Sequence, residues 1–324
     1  MPSTPVTTRS KRLLIGTLIV ALLLVLLVVM DLFLLSRQVD RVIFAQPSGN
    51  GSDTWLLVAS DSRAEAPSYL QSDEDVQAQG ERADLIFLAR KSGTKLILAA
   101  LPRDIDVNYQ NNPSTRLTLM LVFGPTRLNA SLCNDIGVPA DHYMQIDMSG
   151  FVNLTDALGG VEIDVTHPIR DRDAKLNLKS GKQTLNGRQL LAFVRARSYQ
   201  ELINGKWQTI SAADGANMRM EHSKIAVNEI QDKLVNTKNP FVWRKAAWSV
   251  ANGIKIDENS SWSEVLALVK GKLELHTIDS EIVSSDKLHR RLTSKGEQQL
   301  RDLGFKKPCK LYHRETTSEF DLED

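Results

Sequence analysis

Apolar and polar positions alternate in blocks along the chain, and the blocks place most elements before any chemistry is considered. Residues 13–35, LLIGTLIVALLLVLLVVMDLFLL, are apolar almost throughout. That matches the roughly 20 residues a helix needs to cross a bilayer. After a polar stretch, WLLVAS reads as a short buried strand stopped by a loop. DLIFLAR and KLILAAL, joined by KSGT, read as a β-hairpin around a Ser-Gly turn. Residues 114–136 carry a helical pattern broken at Gly124-Pro125, where a break is expected. HYMQID alternates as a strand does. SGFVNLTDALGG reads as a helix stopped by Gly159-Gly160, and VEIDV as the strand that follows. LNGRQLLAFVRAR, residues 212–235, and two stretches within 240–275 complete the predicted helices. This mixture predicts an α/β (α+β) domain, a central sheet covered by helices.

The pattern divides the chain into six parts. They are a tail at 1–12, a membrane helix at 13–35, a Pro/Gly/Ser-containing linker at 36–52, a main domain at 53–235, a helical extension at 236–313 packed on it, and an acidic tail at 314–324. Arg9, Lys11 and Arg12 precede the apolar span, so the positive-inside tendency puts 1–12 in the cytoplasm and the main domain outside the cell membrane. The competing reading is a cleaved signal peptide, against which stand the length of the span and the lack of a small-residue cleavage site. The cytoplasmic tail is too short to read nucleic acid.

With 324 residues, 42% hydrophobic and 24% charged, the chain has a globular composition. Its net charge of +1 excludes a global field for nucleic acid, so any anion site must come from local clustering. Cys133 and Cys309 are the two cysteines, both on the side placed outside. A bridge between them is permitted in an oxidising compartment. The alternative is two unrelated buried thiols. Phosphate-loop, dinucleotide, HExxH zinc and GxSxG signatures are all missing.

What remains is a series of Arg and Asp residues at predicted element ends. Asp61 and Arg63 follow the first strand, Arg82 and Asp84 open the second, and Arg103 and Asp104 follow the third. Arg116 starts the next helix, and Arg195 and Arg197 end a later one. Ligands of open sheets bind beyond strand ends. Guanidinium groups gathered there fit phosphate, to which arginine makes paired charge-assisted bonds. Asp61 and Asp84 are candidate ligands for Mg²⁺, which is commonly held by one or two carboxylates plus substrate phosphates. Taken singly, an Arg–Asp pair is more often a surface salt bridge.

The succession LLVASDSR, RADLIFLAR, LPRDIDV, RLTLMLVFG, ADHYMQIDMSGFVNLTDALGGVEIDV and LNGRQLLAFVRAR resembles the LytR-CpsA-Psr family of cell-envelope proteins over about residues 53–235. The resemblance implies an α-β-α sandwich around a mixed sheet, outside the membrane. It implies an enzyme that moves a glycopolymer from a polyprenyl-pyrophosphate carrier to peptidoglycan or another envelope acceptor, such as a glycoprotein. By the same resemblance Asp61 and Asp84 are the carboxylates for Mg²⁺ or Mn²⁺. Arg82, Arg103, Arg195 and Arg197 are the pyrophosphate clamp, with Arg63 and Arg116 as auxiliary contacts and Asp104 beside Arg103. The chain departs from the family at DGANMRMEH, residues 214–222, where Asn217 and Met220 stand at Arg positions and Glu221 where Gln is common. Arg219 is the remaining cation there. This departure leaves open a protein that binds polyprenyl phosphates or glycans without turnover, or a weak pyrophosphatase.

Overall fold

A computed structural model describes residues 8–45, 53–62, 80–109, 112–196, 199–210, 212–285 and 289–305, with side chains described throughout these except at 8–16, 18–20, 109, 112–114, 212–217 and 219. In chain order they form α1 (Thr8–Ser36), β1 (Asp40–Val42), β2 (Thr54–Ser60), β3 (Ala83–Ser92), β4 (Lys95–Leu101), β5 (Asp106–Tyr109) and β6 (Asn112–Arg116). A tight helical turn over Leu117–Phe123 leads into α2 (Pro125–Ser131). Then come β7 (His142–Ile146), α3 (Met148–Ala157), β8 (Val161–Val165), β9 (Ile169–Asp171), β10 (Leu176–Leu178), β11 (Gly181–Leu185), α4 (Gly187–Arg195), β12 (Gln200–Ile203) and β13 (Lys206–Thr209). The last third holds α5 (Ala212–Asn236), α6 (Pro240–Val250), β14 (Ile254–Asp257), α7 (Trp262–Val269), β15 (Lys272–Thr277), β16 (Ser280–Ile282), β17 (Arg290–Leu292) and α8 (Ser294–Asp302).

Seven strands make a mixed sheet in the order β1-β14-β7-β2-β3-β4-β15. Successive side chains of a strand point to opposite faces, and the two faces have different covers. Leu56 and Val58 of β2, with Ile86, Leu88, Ala99 and Leu101, pack against Leu117, Met120, Leu128 and Leu132 on one side. Trp55, Ala89, Leu96 and Leu98 pack with Leu268 of α7 and Val227 of α5 on the other. The central sheet is therefore sandwiched between helices. A second core gathers the small strands β8 to β11 with α4, α5 and Ala246 of α6.

Three boundaries differ from expectation. The stretch predicted as linker, 36–52, contributes β1, which pairs in parallel with β14, and Phe44, which is buried and stacked on Tyr143 at 5.4 Å. The part predicted as a helical extension supplies two strands of the main sheet, β14 between β1 and β7, and β15 beside β4. The predicted helix 114–136 begins as strand β6 and is helical only from Leu117. The glycine stop behaves as read: Gly159 and Gly160 both have positive φ, at 78° and 83°, directly after α3.

Among the described residues no helix is long and apolar enough to cross a membrane. Helix α1 itself runs for 29 residues, but its side chains are described only at Thr17 and from Ala21 onward. In that half the large apolar side chains from Leu22 to Leu34 stand exposed.

Candidate functional site

Strand direction decides where the charged residues meet. Strands β2 and β7 are parallel, while β3 runs antiparallel to both β2 and β4. The C-terminal ends of β2, β4 and β7 and the N-terminal end of β3 therefore share one sheet edge. Asp61, Arg82, Asp84, Arg103 and Asp104 all sit there. Arg82 and Asp61 are locked together by backbone, with Asp61 N–H donating to Arg82 O at 3.0 Å and Arg82 N–H donating to Asp61 Oδ1 at 2.7 Å. Asp84 forms an ion pair with Arg103. The Nε of Arg103 lies 3.7 Å from Asp104 Oδ1, and Arg116 Nη1 lies 3.5 Å from the same oxygen. The four residues form one chain of alternating charge, all of them partly exposed.

Beside this chain is a cleft of about 570 Å³, open solvent at its mouth included. Its walls are mostly apolar: Leu85, Ile146, Met148, Phe151, Leu191, Val194 and Val227 among them. Asp84 and Arg195 line it too. Arg195 arrives there as the last residue of α4, whose start is fixed by a capping box between Asn186 and Gln189. A cation in the last turn is also favoured by the helix dipole. Arg195 has no ion-pair or hydrogen-bond partner among the described residues. A half-buried guanidinium in an apolar wall carries a desolvation cost that an anion would offset.

Helix α5 holds the end of α4 in place. His222 is buried, its ring stacks on Phe193 at 3.9 Å, and its Nδ1 lies 3.0 Å from Phe193 O. Burial pushes its pKa down to about 4, against a weaker opposing pull from the Phe193 carbonyl, so the ring is neutral at pH 7 and Nδ1–H donates. Ser223, the next residue, lines the cleft.

Some cleft residues were not singled out in the sequence. Asp147 caps α3, accepting from Gly150 N–H at 2.7 Å and from Ser149 Oγ at 2.8 Å. The α3 start lies so close to Gly253 that a Cβ there would come within 2.5 Å of Gly150 Cα. From Ser60 in the cleft wall a polar relay runs inward, buried at Tyr143 and Gln145. Tyr143 Oη donates to Gln145 Oε1 at 2.6 Å, and Gln145 Nε2 donates to Ser60 Oγ at 2.8 Å and to Glu81, which also pairs with Lys255. Burial pushes the Glu81 carboxyl up, but hydrogen bonds from Lys255 and Gln145 outweigh it and hold the pKa below the usual value. Each residue is a lone polar side chain in sequence, so no local pattern marks it.

The C-terminal segment braces the stretch that follows Arg103. Arg290 N–H donates to Asp104 O at 2.9 Å, His289 contacts Asp106, and Ile105 forms a parallel bridge with Arg290. Of the other predicted residues, Arg63, Arg197 and Cys309 are outside the described residues, as is the side chain of Arg219. Cys133 is buried and is not a free thiol.

Among the described residues no group of three His, Cys, Asp or Glu gathers for a cation. Asp61 and Asp84 stand at neighbouring strand ends, and two carboxylates completed by phosphate oxygens suit Mg²⁺. The Asp84 carboxylate is shared with Arg103, so a cation there competes with that ion pair.

The LytR_cpsA_psr family model matches residues 36–287. A probable cell wall biosynthesis protein, LcpB of Corynebacterium glutamicum, is 32% identical over 195 residues, 56% of this chain and 45% of that protein. The polyisoprenyl-teichoic acid–peptidoglycan teichoic acid transferase TagT of Bacillus subtilis is 26% identical over 180 residues, 53% of this chain and 54% of TagT. The chain thus spans about half the length of these relatives. Among solved structures, a LytR-Csp2A-Psr enzyme from Actinomyces oris superposes with a TM-score of 0.69 at 28% identity, covering 83% of this chain and 97% of that one. TagT bound to LI-WTA superposes at 0.57 with 16% identity, covering 81% and 98%, a likeness of fold. From its motifs, sheet and family match together, the chain belongs to the LytR-CpsA-Psr family.

Proposed function

We propose that this chain is a membrane-anchored phosphotransferase that works outside the cell membrane. It moves a glycopolymer from a polyprenyl-pyrophosphate carrier to peptidoglycan or another envelope acceptor. One observation carries the reading: Arg195 and the Asp84–Arg103 pair, far apart in sequence, meet at an apolar cleft. The apolar walls suit a prenyl chain and the guanidinium groups suit its diphosphate. That TagT and TagV of Bacillus subtilis are named as teichoic acid transferases supports the same chemistry.

In this reading an acceptor hydroxyl attacks the phosphate attached to the sugar, and polyprenyl phosphate leaves. Arg103 and Arg195 bind the diphosphate and stabilise the charge that develops on its oxygens. Arg116 and Asp104 hold Arg103 in place. Mg²⁺, held by Asp61 and Asp84, would supply further charge neutralisation when bound. The exposed apolar band from Leu22 to Leu34 suits a lipid environment and supports the anchor. A Cys133–Cys309 bridge is part of the proposal; a non-reducing peptide map without the linked pair would remove it.

A second reading, binding without turnover, is favoured by Asn217, Met220 and Glu221, which replace the polar clamp residues of the family on α5. The test is incubation of the full chain, in membranes, with labelled lipid-linked donor and peptidoglycan. Label on the acceptor supports transfer. Donor retained on the protein with none transferred supports the second reading, and failure to bind the donor at all overturns both.

A further inference from the structure

Helix α6 has two faces of opposite character. Ala246 and Val250 are buried against the body of the protein. Phe241, Arg244, Lys245 and Trp248 fall on the other side, since at 100° per residue they cluster within about 100° of arc opposite that buried pair. Phe241 is 79% exposed, more than any other large apolar side chain described. On this same face α6 meets α1. Arg244 grips Asp31 with both arms, Nε to Oδ2 at 2.8 Å and Nη2 to Oδ1 at 2.6 Å, and Trp248 Nε1 donates to Asp31 Oδ1 at 3.2 Å.

Asp31 is the one charge in the apolar stretch 13–35 and lies near its outer end. A lone carboxylate in a lipid-exposed helix is costly unless paired, and it tends to sit at interface depth. We propose that α6 is an interfacial helix resting on the outer leaflet of the bilayer. This rests on the reading of α1 as a membrane anchor. The Asp31–Arg244 fork sets the height of the domain, Trp248 lies at headgroup level as interfacial tryptophans do, and Phe241 dips into the acyl boundary. The exposed cations Arg244 and Lys245 favour an anionic surface. The face meets α1 at Asp31, within the exposed apolar band from Leu22 to Leu34, which is what commits it to lipid rather than to a protein partner. Because α6 packs on α3, whose Met148 and Phe151 line the cleft, the docked helix leaves the cleft one helix layer from the membrane. A prenyl carrier then has a short path from leaflet to clamp.

The test uses the full chain in nanodiscs of phosphatidylglycerol and phosphatidylcholine. Nitroxide labels are placed by Phe241→Cys and, as an aqueous control on an exposed strand, Lys182→Cys. The ratio of oxygen to nickel-chelate collision rates reports depth. The expected result is a ratio at least about 5-fold higher at 241 than at 182, falling to within 2-fold of the control when Arg244→Ala is added. A label at 241 as accessible to nickel as the control, in a chain that resists carbonate extraction, overturns the proposal and leaves the anchor intact. Low collision with both reagents means that protein covers this face, and also overturns it. Release of the chain by carbonate overturns both the anchor and the interfacial helix.

Discussion

Two polar clusters sit at opposite ends of the same sheet and have opposite chemistry. At one end Asp257 is fully buried and saturated: it accepts from Tyr143 N–H at 2.9 Å, from Asn259 N–H at 3.0 Å and from Ser260 Oγ. Arg41 closes the cluster by donating to the carbonyls of Asp257 and Ser260 at 2.9 and 2.6 Å. At the other end Asp84, Arg103, Asp104 and Arg116 stay partly exposed beside the cleft. The contacts of Arg103 engage two of its three nitrogens, and a guanidinium has five N–H donors. Saturation marks the first cluster as structural. Capacity left over, beside an apolar cleft, is what the proposed anion site requires of the second.

That contrast is open to direct attack. The largest effect is expected at the open cluster: Arg103→Ala should lower glycan transfer by about 100- to 1000-fold, roughly 3–4 kcal/mol of activation energy, with little change in melting temperature. Transfer within a few-fold of the wild type would remove Arg103 from the clamp. At the saturated cluster the signs reverse. Asp257→Ala leaves two backbone N–H groups and a hydroxyl without their acceptor and should destabilise the fold by about 3 kcal/mol, read by denaturant titration. A stable variant that had lost only transfer would show that the two clusters had been confused.

A smaller effect comes from His222, which packs against Phe193 at the end of α4. Its folded pKa of about 4 lies below the usual 6.5, so the unfolded chain binds the extra proton first. Stability is complete above about pH 6.5 and is lost as pH falls toward 4, by about 2 kcal/mol between pH 7 and pH 5. The His222→Gln variant should lack that part of the slope. An unchanged slope would mean that other groups produce it.

The sequence was a good guide where an element announces itself locally. Strands β2, β3 and β4 are compact apolar runs, and α3 ends in a glycine pair. Strands β1, β14 and β15 escaped because they are short and partly polar; β1 pairs with residues more than 200 positions away. The charges at the strand ends were legible because each sits beside an apolar run. Which of them share an edge depends on strand direction, and that is a property of the sheet. Ser60, Glu81, Gln145, Asp147 and Lys255 carried no signal, since each becomes part of the site through partners that only the fold supplies.

In the proposed function Arg103 and Arg195 hold a diphosphate at the mouth of the apolar cleft. The direct measurement is the affinity of the full chain for a polyprenyl-pyrophosphate-linked glycan, compared with the Arg103→Ala and Arg195→Ala variants at matched thermal stability. Each substitution should weaken binding at least about 10-fold, the size expected for a lost charge-assisted contact of roughly 1.5–3 kcal/mol. Unchanged affinity in both variants would contradict the account.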